Sequence, residues 1–201
     1  MSKEYAFYRK IYSIADVLFR FLFRIKIVGA ENIPDKPFLV CANHSSWCDP
    51  IFVALALSKN NHVHFMAKIE LFKTKILNVL LTKLGAFGVD RKKSDITAIK
   101  KTLYYLKHNE IVCIFPEGTR KSKDNMVTPK EGAIHLADRA NVEILPVFIP
   151  RKKRLFSRIR VVIGKPYKVY KEGLKLTSSE SEMQTLELMN KIHSLNGVIS
   201  K

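Results

Sequence analysis

The residues of this sequence that are best suited to chemistry are a histidine and an aspartate five positions apart. His44 and Asp49 lie in the stretch VCANHSSWCDP, directly after a short apolar run. An imidazole titrates near neutral pH and is a natural general base. A carboxylate bonded to its second ring nitrogen would fix the tautomer and stabilise the imidazolium. Because five residues of regular helix rotate a side chain by about 140°, the chain must turn between the two for them to meet.

Two other interpretations of this pair stay open. Asp49 and Pro50 resemble the N-cap and the first position of a helix, and the dipeptide taken alone favours capping. A metal site needs more ligands than one imidazole and one carboxylate. The nearby His62 and His64 fall in a strand pattern that alternates with core residues. We therefore expect no metal.

A serine nucleophile is a poorer interpretation of the same loop. Ser45 and Ser46 directly follow His44, but adjacent side chains on an extended loop diverge. The chain also has no GxSxG elbow of the kind that presents a nucleophilic serine. The pattern therefore argues against a serine hydrolase.

A second loop offers groups that suit phosphate. In the stretch FPEGTR, residues 115–120, Pro116 and Gly118 favour a turn, and the loop alone would be an ordinary exposed turn. Arg120 ends it, and Arg91 follows another apolar run, GAFGVD. A guanidinium group is a planar fork that matches phosphate oxygens. Two arginines and a base at one edge indicate a phosphorylated substrate with a hydroxyl to deprotonate.

Alternating strands and helices must position these loops. Apolar runs typical of strands occupy residues 38–41, 63–66, 86–89, 111–115, 144–149 and 159–163. Helical spacing occupies residues 50–57, 75–84, 95–107, 130–140 and about 180–195. Ser179, with Glu182 three positions on, predicts a capping box for the last helix. The alternation predicts a single α/β domain whose mostly parallel central sheet is flanked by helices. Ligands of such sheets bind beyond the carboxyl ends of strands, where both loops begin.

The N-terminal segment predicts a strongly amphipathic helix. From residue 7 to 27 its apolar face carries Phe7, Ile11, Ile14, Leu18, Phe21, Leu22 and Ile25. Asp16, Arg20 and Arg24 interrupt every window of about 20 residues that could cross a bilayer. We therefore predict an interfacial, membrane-associating helix in residues 1–27, ahead of an α/β domain in residues 28–201. Packing on the protein's own core is the alternative that periodicity leaves open.

Composition limits the classes of partner. The chain has 201 residues, 47% of them hydrophobic, which suits one domain with a substantial core. Its net charge of +17 predicts attraction to anionic surfaces such as acidic lipids. A nucleic-acid-binding module is an alternative suggested by charge alone, but the cations are dispersed and we expect no nucleic acid. Three cysteines without metal-like spacing, and an N-terminus unlike a signal peptide, indicate a reduced, cytosolic setting.

Four ordered motifs resemble those of the glycerolipid acyltransferase family, over roughly residues 28–165. Asn43, His44 and Asp49 match its NHxxxxD motif, and the other blocks are residues 85–91, 115–120 and 144–149. The resemblance implies that His44 removes the proton of the acceptor hydroxyl and that Asp49 orients it. The implied positions for binding the substrate phosphate are Arg91, Glu117, Gly118 and Arg120. Because like charges repel, we expect Glu117 to hold the loop and Arg120 and not to touch phosphate. Supporting positions are Asn43, Thr119, Lys68 and Lys130, where the two lysines could add positive charge near the site or be only solvated.

The reaction that the resemblance implies is acyl transfer. A fatty acyl group would pass from acyl-CoA or acyl carrier protein to the hydroxyl of 1-acylglycerol 3-phosphate and give phosphatidic acid. Glycerol 3-phosphate or another lysolipid is the alternative acceptor. Because a thioester is already activated, base catalysis and positioning suffice, and we expect neither an acyl-enzyme nor a cofactor beyond the thioester.

The resemblance also implies where the protein works. We expect a peripheral or monotopic protein on the cytoplasmic face of the cell membrane, in contact with anionic lipids. The basic loop at residues 151–160 could meet those lipids, the phosphates of CoA, acyl carrier protein or only solvent. Candidate wall residues of an acyl tunnel are Leu71, Leu77, Leu80 and Leu81.

Overall fold

The fold is a layered α/β domain built on one sheet. The computed structural model describes residues 3–35, 37–90, 95–118 and 128–199. Within these ranges the strands are β1 (Arg24–Val28), β2 (Phe38–Ala42), β3 (Val63–Lys68), β4 (Phe87–Val89), β5 (Ile111–Ile114), β6 (Glu143–Phe148) and β7 (Arg158–Ile163). They run in the order β1-β7-β6-β2-β5-β3-β4. The neighbouring strands pair in parallel, except for a short antiparallel pairing of β6 with β7.

Helices cover both faces of the sheet. They are α1 (Lys3–Leu22), α2 (Asp49–Ala56), α3 (Lys75–Lys83), α4 (Ile96–Lys107), α5 (Gly132–Ala140) and α6 (Ser178–Ser194), with 3₁₀ turns at Ala30–Asn32, Ile69–Phe72 and Leu195–Ile199. On one face, α1 and α2 contribute Phe19 and Phe52 to a core shared with Val147. On the other face, α5 and α6 contribute Ile134 and Leu188 to a second core. The predicted parallel sheet flanked by helices is therefore confirmed.

The end of the first helix differs from the prediction. α1 ends at Leu22, and residues 24–28 form β1, which lies parallel to β7 with Ile25 opposite Ile159. The sequence RIKIV alternates charged and apolar residues, which is a strand pattern. That period was hidden because the same apolar residues also continue the helical stripe. The boundary at residue 27 thus falls inside a strand of the sheet.

The last helix also begins differently from the prediction. Thr177, not Ser179, is its N-cap: the Thr177 side chain accepts a hydrogen bond from the Glu180 amide, and Glu180 bonds back to the cap. The sequence TSSESE contains the same capping spacing twice, at Thr177 and at Ser179. The extended backbone of Thr177 selects the earlier one.

Helix α1 packs on the sheet and also exposes apolar side chains. Tyr8, Phe19 and the following Phe23 are buried. Val17 and Phe21 are about three quarters exposed, at 73% and 74%. Core packing of this helix is therefore a fact, and it leaves a second apolar face uncovered. In the part of the chain that is described, no helix has the length and apolar character needed to cross a bilayer.

Candidate active site

The exit of β2 is fixed by a buried asparagine. The Asn43 side chain donates to the Ile149 carbonyl at 2.8 Å and accepts from the Ile149 amide at 2.8 Å. This paired contact ties the carboxyl end of β2 to that of β6, its neighbour in the sheet. Asn43 therefore has a positioning role, since it sets where the following residue, His44, leaves the sheet.

His44 and Asp49 meet as the sequence predicts. His44 Nδ1 lies 3.0 Å from Asp49 Oδ2. The same oxygen accepts the backbone amides of Ser45 and Ser46 at 2.6 and 2.7 Å, so the loop folds tightly around the carboxylate. Asp49 is fully buried, at 0% exposure. The turn that the pairing requires is held by the aspartate itself.

The capping interpretation of Asp49 is wrong. The N-cap of α2 is Cys48, which makes no side-chain cap bond, and Asp49 is the first helical residue. Its carboxylate bonds amides that precede it in the chain, whereas a cap would bond amides that follow it. Only Pro50, at the start of the helix, fits the expected pattern.

A lysine completes the pair, and sequence reasoning missed it. Lys153 Nζ lies 2.8 Å from Asp49 Oδ1 and donates to Ser45 Oγ at 3.0 Å. Its side chain is only 6% exposed. The sequence predicts a basic loop here that could meet lipid, CoA, acyl carrier protein or solvent, and the neighbouring Lys152 is indeed exposed. Nothing in the sequence distinguishes the two lysines, because the contact joins residues about a hundred positions apart.

The contacts keep Asp49 ionised. Burial would raise the pKa of the Asp49 carboxyl, but hydrogen bonds from His44, Lys153 and the Ser45 and Ser46 amides outweigh burial and lower it. An ionised carboxylate only accepts hydrogen bonds, so Nδ1 of His44 carries the proton. The lone pair of neutral His44 therefore lies on Nε2, the nitrogen available to act as a base.

His44 lines a small cavity. Its ring stacks on Phe115, with centroids 4.2 Å apart and planes 20° from parallel. The cavity, of about 120 Å³, is also lined by Trp47, Phe65 and Lys68. The His44 side chain is 11% exposed, so the base reaches a reactant through this cavity and is otherwise shielded from bulk water. Lys68 thus lies beside the base, where it also pairs with Glu70 at 3.3 Å.

A second cavity adjoins the first on the side of the predicted phosphate loop. It has a volume of about 550 Å³ and shares Met66 and Phe115 with the His44 cavity. Gly118 and Lys130 line it. Gly118 has a φ of +66°, and a Cβ there would lie 3.3 Å from Lys130 Cε, so this turn suits glycine.

The other positions predicted to bind or support the phosphate lie partly outside the residues that the structure describes. Glu117 is buried, at 2% exposure, so it belongs to the interior of the loop and does not face an open cavity. Arg91, Thr119 and Arg120 lie outside the described residues. Of the predicted cations, Lys68 and Lys130 are the two that the structure places at the cavities.

An apolar cavity opens from the other side of His44. It has a volume of about 550 Å³, lies among α1, α2 and α3, and shares five residues with the His44 cavity: Trp47, Pro50, Phe65, Ala67 and Leu71. Three of the four predicted tunnel leucines, Leu71, Leu77 and Leu81, line it, and Leu80 does not. An extended hydrocarbon chain is the ligand that such a lining suits.

Comparison with known proteins identifies the family. The family model described as Acyltransferase matches residues 24–150. The 1-acyl-sn-glycerol-3-phosphate acyltransferase of Bacillus subtilis is 33% identical over 184 residues, which are 85% of this chain and 91% of that protein. The enzyme of the same name from Streptococcus pneumoniae is 33% identical over 79% of this chain and 64% of its own length.

A solved structure shows the same fold. The crystal structure of the 1-acyl-sn-glycerophosphate acyltransferase PlsC from Thermotoga maritima superposes with a TM-score of 0.72 at 23% identity, covering 96% of this chain and 80% of that one. The matched family segment spans more than half of the chain and contains both His44 and Asp49. The chain therefore belongs to the acyltransferase family.

Proposed function

We propose that this protein transfers a fatty acyl group from an acyl thioester to the free hydroxyl of 1-acylglycerol 3-phosphate and so makes phosphatidic acid. The observation that carries the proposal is the position of His44, between an apolar cavity and a cavity lined by Lys130. The acceptor is proposed because the similar Bacillus and Streptococcus proteins carry that substrate in their names.

The proposed chemistry is a single displacement. His44 Nε2 takes the hydroxyl proton as the acceptor oxygen attacks the thioester carbonyl, and the buried Asp49 carboxylate stabilises the imidazolium that forms. The tetrahedral intermediate then collapses, the C–S bond breaks, and the imidazolium returns the proton to the leaving thiolate. Lys153 keeps Asp49 in place and compensates its charge. The protein forms no acyl-enzyme and needs no cofactor beyond the thioester.

The two larger cavities bind different reactants. The apolar cavity holds the acyl chain of the donor, since its lining is almost wholly hydrocarbon. The cavity with Lys130 receives the phosphate end of the acceptor. Arg91 and Arg120 are further phosphate-binding positions that the sequence predicts. The donor is acyl-CoA or acyl carrier protein, and the exposed Arg151, Lys152 and Arg154 offer cations for the phosphate that both donors carry.

Product analysis with a panel of acceptors tests the proposed function. The purified protein is given one acyl thioester with 1-acylglycerol 3-phosphate, glycerol 3-phosphate or an uncharged monoacylglycerol, and products are identified by mass spectrometry. We expect phosphatidic acid to form fastest. Equal or faster acylation of the uncharged acceptor would contradict a phosphate-binding site. Faster acylation of glycerol 3-phosphate would mean that the proposed acceptor is wrong, and the proposed mechanism would still stand.

Narrowing the apolar cavity is expected to change the preference for acyl chain length. Ala86 lines this cavity but not the smaller one at His44, and it is 8% exposed. In Ala86→Leu the added carbons should exclude the end of a long chain and lower the ratio of turnover with long donors to turnover with short donors by at least about tenfold. The readout is a ratio within one variant, so a general loss of activity does not mimic it. An unchanged ratio would mean that the acyl chain binds elsewhere.

The membrane contact is proposed at a patch shared by α1 and the loop between β6 and β7. This patch consists of Val17, Phe21, Leu155 and Phe156, all more than half exposed. The Phe21 and Phe156 rings are in contact, with centroids 6.1 Å apart. Exposed cations flank the patch at Arg151, Lys152, Arg154 and Arg158. Apolar side chains ringed by cations suit the anionic cytoplasmic leaflet, where the protein would sit as a monotopic enzyme.

Removing the two aromatic rings of this patch should weaken membrane binding. Burial of a large apolar side chain stabilises by about 1.5–3 kcal/mol, so Phe21→Ser/Phe156→Ser is expected to lower partitioning onto anionic vesicles by at least about tenfold. Vesicle flotation measures this. The matched control is Leu186→Ser, which removes a 51% exposed leucine from α6 on the opposite face of the sheet. Equal loss in the control, or none in the double variant, would refute this surface.

A further inference from the structure

Two histidines and a glutamate converge at the edge of the sheet remote from His44. Glu110 directly precedes β5, and His62 directly precedes β3. In the parallel pairing of these strands Val63 lies opposite Ile111, so His62 and Glu110 are side by side, and His64 follows one residue into β3. Each of the three side chains offers one ligand atom, and these atoms lie within 4.8 Å of one another. The strand pattern of the sequence predicts that His62 and His64 alternate with core residues and bind no metal.

Hydrogen bonds fix how the two rings present their nitrogens. His64 Nδ1 lies 2.9 Å from the Gly85 carbonyl, and His62 Nε2 lies 3.3 Å from the Leu84 carbonyl. A carbonyl only accepts, so these nitrogens carry the protons and the other nitrogen of each neutral ring is an electron-pair donor. His64 Nε2 lies 3.5 Å from Glu110 Oε2. Two electron-pair donors facing each other at that distance favour a cation between them.

We propose that His62, His64 and Glu110 bind a divalent transition-metal ion of the zinc type. Two imidazoles and a carboxylate are a zinc ligand set, and histidine ligands commonly donate their other N–H to a backbone carbonyl, as both do here. Tetrahedral zinc ligands at about 2.0–2.1 Å stand about 3.3 Å from each other, so the 3.5 Å between His64 and Glu110 already fits.

Binding requires the ligand atoms to move together. The widest separation in the cluster, at most 4.8 Å, exceeds the tetrahedral value by no more than about 1.5 Å. His62 is half-buried and directly precedes β3, so its ring has more room to move than that of the buried His64. A polar cavity of about 360 Å³ is lined by His62, Glu110, Asn60 and Asn61. It provides access for the ion and for a water molecule as the fourth ligand.

The metal would act on structure, away from the chemistry at His44. The ring of Tyr8 lies 4.3 Å from that of His62, and Tyr8 Oη donates to the Asn61 carbonyl at 3.2 Å. On the other side, Gly85 has a φ of +84°, and a Cβ there would come within 2.6 Å of His62 Nε2. An ion that fixes the His62 ring therefore holds α1 and the α3–β4 turn onto the sheet.

Zinc titration of the untagged, chelator-treated full chain tests the proposal. We expect calorimetry to give one equivalent of bound Zn²⁺ and a Tm that rises with zinc concentration, as ligand binding to the folded state requires. Glu110→Gln and His62→Gln should each weaken binding at least about tenfold. The control is His135→Gln, which removes a surface histidine 3.6 Å from Glu131 and should bind zinc as the wild type does. His44→Gln should also bind zinc normally, because that residue lies at the opposite edge.

Spectroscopy identifies the ligands independently of stability. X-ray absorption at the zinc edge should show nitrogen and oxygen near 2.0 Å and no sulfur near 2.3 Å. A sulfur shell would place the ion at a cysteine and overturn the proposal. So would a Tm that does not respond to zinc, which is the result expected if only a proton lies between His64 and Glu110. Undiminished zinc binding in both ligand variants would overturn it as well.

Discussion

Replacement of His44 by glutamine is expected to lower kcat for acylation of 1-acylglycerol 3-phosphate by about 10²–10⁴-fold. Glutamine retains a side chain that can hydrogen-bond Asp49, but it has no basic nitrogen to take the hydroxyl proton. The acceptor would have to react as a neutral alcohol. KM for both substrates should change little, because His44 contributes to proton transfer and the larger cavities bind the reactants.

Steady-state turnover of a labelled acceptor measures this effect. His135→Gln provides a matched control, since that histidine sits on α5 with 44% of its side chain exposed. A circular dichroism melt tests whether the His44 variant is folded. Turnover within a few-fold of wild type would mean that another group removes the proton, and the mechanism would then be wrong.

Replacement of Lys153 by methionine should damage both stability and catalysis. The buried Asp49 carboxylate would keep its charge but lose its closest cation, and breaking a buried ion pair costs about 3–5 kcal/mol. The free energy of unfolding, measured with urea, is expected to fall by about 3 kcal/mol. Lys153 also holds the carboxylate that orients His44, so kcat is expected to fall as well.

A double variant separates the stabilising role of the lysine from its catalytic role. In Asp49→Asn/Lys153→Met both charges are gone, so most of the lost stability should return, while activity stays at least about 100-fold below wild type because the orienting carboxylate is missing. Lys152→Met, a change at the exposed neighbouring lysine, should leave the free energy of unfolding unchanged. If Lys153→Met and Lys152→Met had the same effect on stability, Lys153 would have no special role in the site.

Much of the fold follows from local pattern, and so does the base with its partner. The strands are short apolar runs, and their number and spacing fix an α/β domain. His44 and Asp49 lie in one loop, so a single turn decides whether they meet. Lys153 is different, because its role depends on where the chain passes after β6, and its immediate sequence is that of an exposed basic loop.

Two further features depend on pairing between distant segments. β1 exists because RIKIV finds β7 as a neighbour, and the sequence of β1 alone also fits the end of a helix. Glu110 joins His62 through the register of β3 with β5, which no count of residues along the chain reveals. In each case the missing information is which strand lies beside which, a property of the whole sheet.

The loop between β6 and β7 faces two ways at once. Lys153 points inward to the Asp49 carboxylate behind the base. Phe156, three positions later, is 60% exposed. The Phe156 amide donates a hydrogen bond to the Leu22 carbonyl of α1 at 2.6 Å. Under the proposed orientation, contact with lipid and alignment of the base are mechanically coupled. We expect membrane anchoring to change kcat as well as the local concentration of substrate. The kcat of Phe156→Ser reports this coupling when it is measured on substrate dissolved as monomers, below its micelle concentration.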